Sequence, residues 1–350
     1  MLKLFKSKQR AILGIDISAS CVKIIELSGD DEQRSVVDFG IEPLPANVMD
    51  GYIIRDVDAV ASCIRRLISR GRFTSKYAAV AVRDSAIISK VIQINDGLAD
   101  SELEEFIAMD ADKYIPFPIE EVNMDFVVQG PSPKNASKLD VLIVASRSEN
   151  VSSRVEAISK AGLQAKVVDV ESFAIERAVS LMQNELPALG QGKVIAVMDV
   201  GYTLSSLCVM QNMKLIYSRE EEFGENNLIK EIAQHYAVSY EEALQMHQEK
   251  KLPEDYYEAV FTHFIDLLTL QIKRSLQFFF SSMHIEFVDH ILLAGSADLL
   301  PDLSKKVHEA LNIPASIANP IHGMTLPAKL IDLHGPSLLI ACGLAMRRGD

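Results

Sequence analysis

The segment GIDISASCVKIIEL at 14–27 holds an acid, two hydroxyls and a lysine in an order that suits phosphate chemistry: Asp16, Ser18, Ser20 and Lys23. A carboxylate at a strand end can hold Mg²⁺ through water, and turn amides beside it can point at phosphate oxygens. Lys23, seven residues after Asp16, is placed to bring a cation to β- and γ-phosphate oxygens. In MDVGYTLSSLCVM at 198–210 the matching parts fall to Asp199, Gly201 and Thr203, and the two acids stand 183 residues apart. One such hairpin is common in β proteins. Two, one opening each half of the chain, describe half-domains that close on a nucleotide phosphate tail. A third segment, HILLAGSADLLPDLSKKV at 290–307, reads as a buried strand, a turn at Gly295-Ser296 and a helix starting near Pro301. Such a turn can lay main chain against an adenine or ribose, although any strand-loop-helix unit shows the same pattern.

The elements that must carry these residues alternate between strand and helix along the whole chain. The runs AILGIDI, CVKIIEL, AAVAV, SKVIQI, VLIVAS, KVIAVMDV and HILLAG are apolar and rich in β-branched residues, and helical periods separate them. An α/β chain of two or three domains is expected from 350 residues. A helix is expected after Ser101, with Ser101 and Glu104 as a capping box and Leu103, Phe106, Ile107 and Tyr114 as its apolar side, before Pro116 and Pro118 stop it. Ser239 with Glu242 repeats the device. Between Asp255 and Met283 a long helix is expected to bury Tyr257, Val260, Phe261, Phe264, Ile265, Leu268, Ile272, Leu276 and Phe279. GPSPKNASK at 130–138 reads as a solvated turn between strands, and LPALGQG at 186–192 as the connector between halves.

Composition narrows the function. With 48 acidic against 35 basic residues, a net charge of -13 argues against sequence-independent nucleic-acid binding. Cys21, Cys63, Cys208 and Cys342 form no short ligand spacing, and the eight histidines form no HxxxH or HExxH pair. No structural metal is expected, and the thiols read as reduced in a cytosolic protein. The basic start MLKLFKSKQR leads into AILGI, which Asp16 interrupts, so no signal peptide is expected. No window reaches the roughly 18 uncharged apolar residues of a membrane span. Leu2, Leu4 and Phe5 among Lys3, Lys6, Lys8 and Arg10 suit either a light contact with an anionic leaflet or a frayed terminus. Glycine is sparse: 17 residues, about 5% against an average of about 7%.

The three motifs resemble those of the actin-like ATPase superfamily, with a first phosphate motif at 14–23, a second at 199–203 and an adenosine motif at 292–303. A narrower resemblance covers essentially the whole chain. ADKYIPFPIEEVNMDF at 111–126, VAVRDSAIISKVIQI at 80–94, VVDVESFAIERA at 167–178 and SLLIACGLAMR at 337–347 are similar to segments of the PilM family of type IV pilus assembly proteins. The YIPFP stretch is specific to that family rather than to actin-like folds at large. The resemblance implies an α/β actin-like ATPase fold of two lobes and four subdomains around a nucleotide cleft. Subdomain 1A would take 1–80, 164–196 and 335–350, subdomain 1C 81–163, and subdomains 2A and 2B 197–334. It implies a cytoplasmic adaptor, peripheral to the inner membrane, that binds ATP with Mg²⁺ and captures the N-terminal cytoplasmic tail of PilN between 1A and 1C.

The same resemblance assigns nucleotide contacts to Asp16, Ser18, Ser20, Lys23, Asp199, Gly201, Thr203, Gly224, Asn227, Gly295 and Ser296, with Asp16 and Asp199 holding Mg²⁺ through water. Around Tyr114, Pro116, Phe117 and Pro118, a proline-restricted backbone suits a peptide groove, and it equally suits rings that anchor a helix end in the core. Glu171 in DVES is the candidate for orienting an attacking water, its other reading being an acid favoured at a helix N-terminus. The alternatives to an adaptor are an ATPase or small-molecule kinase of the same clan, or an FtsA-like filament former. The filament reading stands lower because LAMRRGD follows a core-like helix where FtsA has an amphipathic membrane helix. The family pattern has glycine where this chain has Ser18, Glu225 and Ser296. Each replacement adds a Cβ where backbone would approach nucleotide, and at 225 a carboxylate, so reduced ATP affinity is expected.

Overall fold

The computed structural model describes residues 11–29, 33–133, 135–327 and 335–347, so the basic arm at 1–10 lies outside the described residues. The first half runs through β1 (Leu13–Ile17), β2 (Cys21–Ser28), β3 (Ser35–Pro43), a short hairpin of β4 (Met49–Asp50) and β5 (Ile53–Ile54), α1 (Val57–Arg70) and β6 (Tyr77–Val82). It continues through β7 (Ile87–Asn95), α2 (Asp100–Asp110), β8 (Val122–Ser132), β9 (Asn135–Arg147), α3 (Ser148–Lys160), β10 (Gln164–Val170) and α4 (Glu171–Val179). The second half comprises β11 (Val194–Val200), β12 (Ser205–Gln211), β13 (Lys214–Glu221), α5 (Glu225–Tyr236), α6 (Tyr240–Gln248) and α7 (Thr262–Met283). It ends with β14 (His290–Gly295), α8 (Leu303–Leu311), β15 (Ala315–Ile317) and α9 (Leu339–Ala345).

Two five-stranded sheets have one topology. Strands β1, β2 and β3 pair antiparallel, and β6 and β10 extend the sheet in parallel on the other side of β1. Strands β11, β12 and β13 repeat the meander, and β14 and β15 repeat the parallel pair. The central strands β1 and β11 are nearly continuous apolar runs because elements cover both of their faces. Asp16 and Asp199 are the only charges in them. An antiparallel sheet in the order β7-β9-β8, with α2 against it, is inserted between β6 and β10 around Ile92, Ile94, Leu103, Ile107, Val141 and Ile143. From it α3 returns to the first sheet, where Ala157 and Ile158 join the core under α1. Helices α5 and α7 cover the second sheet through Leu228, Ile232, Phe264, Leu268, Ile272, Leu276 and Phe279. Among the described residues no helix is long and apolar enough to cross a membrane.

Several local expectations are corrected. The Ser239 and Glu242 capping box forms, with reciprocal bonds of 3.2 and 2.9 Å. The one expected at Ser101 and Glu104 does not: α2 starts earlier, and the Ala99 N–H donates to the Glu102 carboxylate at 2.8 Å. The inserted sheet receives one row of α2, Leu103 and Ile107, which leaves Phe106 41% exposed. Tyr257 is 59% exposed although the other expected residues of that stripe are buried. A π turn over Tyr257–Phe261 precedes α7, and its wider winding rotates Tyr257 off the buried face. Strand β8 extends to Ser132 and β9 begins at Asn135, so most of 130–138 is strand where a solvated turn was expected.

The buried helix α9 packs between β1 and α4, backbone against backbone. A Cβ at Gly14 would lie 1.9 Å from the Ala341 carbonyl oxygen, and one at Gly343 would lie 1.8 Å from that of Ala174. Gly14→Ala and Gly343→Ala are each expected to cost about 1–3 kcal/mol through forced separation of these elements. Urea unfolding reads this directly, and an unshifted midpoint in both variants would contradict the close packing.

Candidate functional site

The turns β1-β2 and β11-β12 line one cavity of about 250 Å³ between the duplicated sheets. Asp16, Ser18, Ser20 and Lys23 reach it from the first sheet, and Asp199, Gly201, Thr203, Gly295 and Ser296 from the second. Glu171 reaches it from the start of α4. Gly224 and Asn227 stand behind this wall. A Cβ at Gly224 would lie 2.4 Å from the Gly201 carbonyl oxygen, and the Asn227 side chain accepts the Gly224 N–H at 3.0 Å. Their work is to seat α5: the N–H groups of Glu225 and Asn226 donate to the carbonyls of Gly201 and Tyr202 at 3.0 and 2.7 Å.

Sheet register places Lys23 directly opposite Asp16, and the ammonium lies 3.0 Å from Oδ2. Burial alone would lower the Lys23 pKa, yet Asp16, with Cys21 and Asp199, holds it well above the usual lysine value. The lysine therefore stays charged. Burial raises the Asp199 pKa, with Lys23 opposing and Asp16 adding to the shift. Both turns close in the same way, Ser18 N–H to Cys21 O at 3.0 Å and Gly201 N–H to Leu204 O at 3.1 Å. The Ser18 hydroxyl also bonds the Cys21 carbonyl, at 2.9 Å, so it stabilises its own turn. Among the described residues, buried Thr203 Oγ1 meets no hydrogen-bond partner, which fits an oxygen-rich ligand arriving at the second turn.

Arg83, at the end of β6, lies 3.2 Å from Glu171 and 3.4 Å from Glu220 of β13. Burial pushes the Glu171 pKa up to about 7, against the pull of Arg83 and with help from Asp16, Glu220 and Asp84. Asp84 accepts the Ser172 N–H at 3.1 Å and the Ser218 hydroxyl at 3.0 Å. Arg154, 1% exposed, also lines the cavity and donates to the carbonyls of Ala81, Asn150 and Tyr52 at 2.8 to 3.0 Å. Arg83, Arg154, Tyr52 and Tyr202 escape sequence reasoning. Only Arg83 leaves a signal, a cation just past a buried strand.

The rings at 114–117 stand apart from this cavity. Tyr114 and Phe117 are half-buried against Ile88, Ile115, Val122 and Met124, with Lys90 5.4 Å from the Tyr114 ring centre and Arg147 4.4 Å from that of Phe117. Ile115 between them is the buried anchor, and Pro116 is exposed. Among the described residues no cluster of three or more His, Cys, Asp or Glu is disposed to bind a metal directly.

A five-stranded α/β sheet present twice, with an acid-bearing hairpin in each copy and a cavity between them, defines the actin-like ATPase fold. Within that class the chain belongs to the type IV pilus assembly protein PilM family, whose model matches residues 14–349. The solved PilM-PilN type IV pilus biogenesis complex is similar over 98% of this chain and 99% of its own, with 25% identity and a TM-score of 0.79. The ethanolamine utilization protein EutJ from Carboxydothermus hydrogenoformans shares the fold at 15% identity and a TM-score of 0.58, over 96% of this chain and 89% of its own.

Because the folded state raises the Glu171 pKa from 4.5 to about 7, it binds more protons than the unfolded chain between those values, and stability falls as pH rises through them. Glu171→Gln removes this dependence. Its melting temperature is expected to change less than the parent's over that pH range, the parent losing on the order of 3 kcal/mol more. Parallel curves would show an unshifted Glu171.

Proposed function

We propose that this chain is a cytoplasmic, nucleotide-responsive adaptor of the type IV pilus assembly machinery. It binds the N-terminal cytoplasmic tail of the inner-membrane protein PilN and so links it to the rest of the machine. The observation that carries this is the end-to-end similarity to the PilM-PilN complex, on top of family membership. In this reading 1–80, 164–196 and 335–350 form subdomain 1A, 81–163 form 1C and 197–334 form 2A and 2B. The tail docks between 1A and 1C. Support comes from the inserted sheet, whose edge strands β7 and β8 each have one side unpaired among the described residues and expose Val91, Val127 and Val128. An extended peptide can add to such an edge and place alternate side chains in pockets. Tyr114 and Phe117 shape that unit from within.

The cavity is the proposed site for ATP with Mg²⁺. Lys23 supplies a permanent cation for phosphate oxygens, Asp16 and Asp199 can hold a hydrated metal ion, and the Thr203 hydroxyl awaits a partner. Glu171 is the best-placed candidate for positioning water. Its pKa of about 7 lies in the range of a general base at neutral pH, while its ion pair with Arg83 competes with water for the same carboxylate.

Calorimetric titration with a synthetic PilN tail, at zero and saturating Mg-ATP, tests partner, ligand and coupling together. Micromolar or tighter binding that shifts with ATP is expected, and no binding under either condition would overturn the adaptor. Asp16→Ala and Asp199→Ala should each lose ATP binding, and undiminished affinity in both would overturn the site. Fast phosphate release abolished by Asp199→Ala would favour an ATPase instead.

A further inference from the structure

Two of the positions where glycine was expected carry side chains that meet. The Ser296 hydroxyl donates to one oxygen of the Glu225 carboxylate at 2.7 Å, and His247 of α6 lies 3.0 Å from the other. Backbone packing fixes both partners. Ser296 follows Gly295, whose φ is +70° and where a Cβ would lie 2.2 Å from the Val200 carbonyl oxygen and 2.6 Å from the Asp199 carboxylate. Glu225 follows the wedged Gly224, and its own N–H is tied to Gly201. Only the side chains are free to turn. Both line the same cavity as Asp16, Lys23 and Asp199, and the Glu225 side chain is 18% exposed. Burial would raise its pKa, but the bonds from His247 and Ser296, with the charge of Lys23, hold it below the ordinary glutamate value. The carboxylate is therefore ionised at neutral pH.

We propose that Glu225 and Ser296 form a latch of this chain's own across the nucleotide cavity and set its affinity. The inference rests on the nucleotide reading above. A nucleoside triphosphate entering the cavity meets a fixed negative charge in a partly desolvated place, where screening is weak. It also meets a hydroxyl already committed to that charge. Binding requires the Glu225 side chain to swing away, which exchanges the Ser296 bond for contacts with the ligand. The latch thus subtracts from nucleotide affinity by the free energy of opening it.

The test is calorimetric titration of the full chain and its variants with Mg-ATP, each variant first checked by thermal unfolding. Glu225→Gly is expected to tighten binding about tenfold and Ser296→Gly by less. The double variant should gain no more than Glu225→Gly alone, because the two side chains act as one contact. Should Glu225→Gly not fold, Glu225→Gln removes the charge while keeping the start of α5, and a gain of about threefold is expected. Affinity equal to or weaker than the parent's in the folded variants overturns the latch, as do independent, additive gains at the two positions. No Mg-ATP binding by parent or variants, with the PilN tail still bound, overturns the nucleotide reading itself.

Discussion

The buried pair of Asp16 and Lys23 governs what the cavity can accept. Removing two charges from water costs several kcal/mol per ion, and only close pairing offsets it. Register supplies that pairing, since the β1-β2 hairpin puts the two side chains directly across from each other. The second hairpin repeats the acid but not the cation: Ser206 stands opposite Asp199, where the first hairpin has Lys23. Lys23 therefore serves two carboxylates, and Arg83 likewise serves Glu171 and Glu220. Among the described residues the cavity is lined by four acids, Asp16, Glu171, Asp199 and Glu225, against three cations, Lys23, Arg83 and Arg154. A bare polyphosphate would add to this excess, whereas a phosphate accompanied by a divalent cation offsets it. The partial protonation of Glu171 near neutrality relieves the same excess without a ligand.

Glycine scarcity acquires a physical meaning from the packing. Gly14, Gly201, Gly224, Gly295 and Gly343 each stand where a Cβ would lie 1.8 to 2.6 Å from main-chain or carboxylate atoms, and backbone contact there excludes any other residue. The substituted positions behave differently, because their side chains have somewhere to go. Ser18 folds back on its own turn, and Glu225 and Ser296 bond each other. Gly14, Gly224 and Gly343 hold main chain against main chain, Gly201 and Gly295 do the same at the cavity wall, and Ser18, Glu225 and Ser296 present hydrogen-bonding groups beside them.

Features set by nearby residues were legible in the sequence. Both acid-bearing hairpins, the Ser239 cap and most of the buried stripe of α7 depend on spacings of a few residues, and the structure contains them. The duplication of the hairpins proved to be the visible part of a duplication of whole sheets. What escaped is set over long separations. Arg83 meets Glu171 across 88 residues, and Arg154 reaches Tyr52 across 102, in a helix whose period marks no functional face. Phe106 and Tyr257 failed for another reason. Periodicity assumes one winding and a wide buried face, and here a π turn and a narrow contact break those assumptions.

Arg83 and its neighbour tie the cavity to the rest of the molecule. Arg83 directly follows β6 and Asp84 leads toward β7, so the chain leaves the first sheet for the inserted sheet at the point where both side chains are engaged. Arg83 bridges α4 and β13, and Asp84 is held by Ser172 of α4 and Ser218 of β13. Three elements, one from each side of the cavity and one opening the inserted unit, thus share a few buried charges. A negative charge brought into the cavity competes with Glu171 and Glu220 for Arg83, and their pairing must readjust. Since Asp84 is bonded to the residues next to or near those acids, the readjustment acts on the root of β7. In the proposed adaptor, with its peptide along the inserted sheet, that root would let occupancy of the cavity alter the groove without any contact between the two ligands.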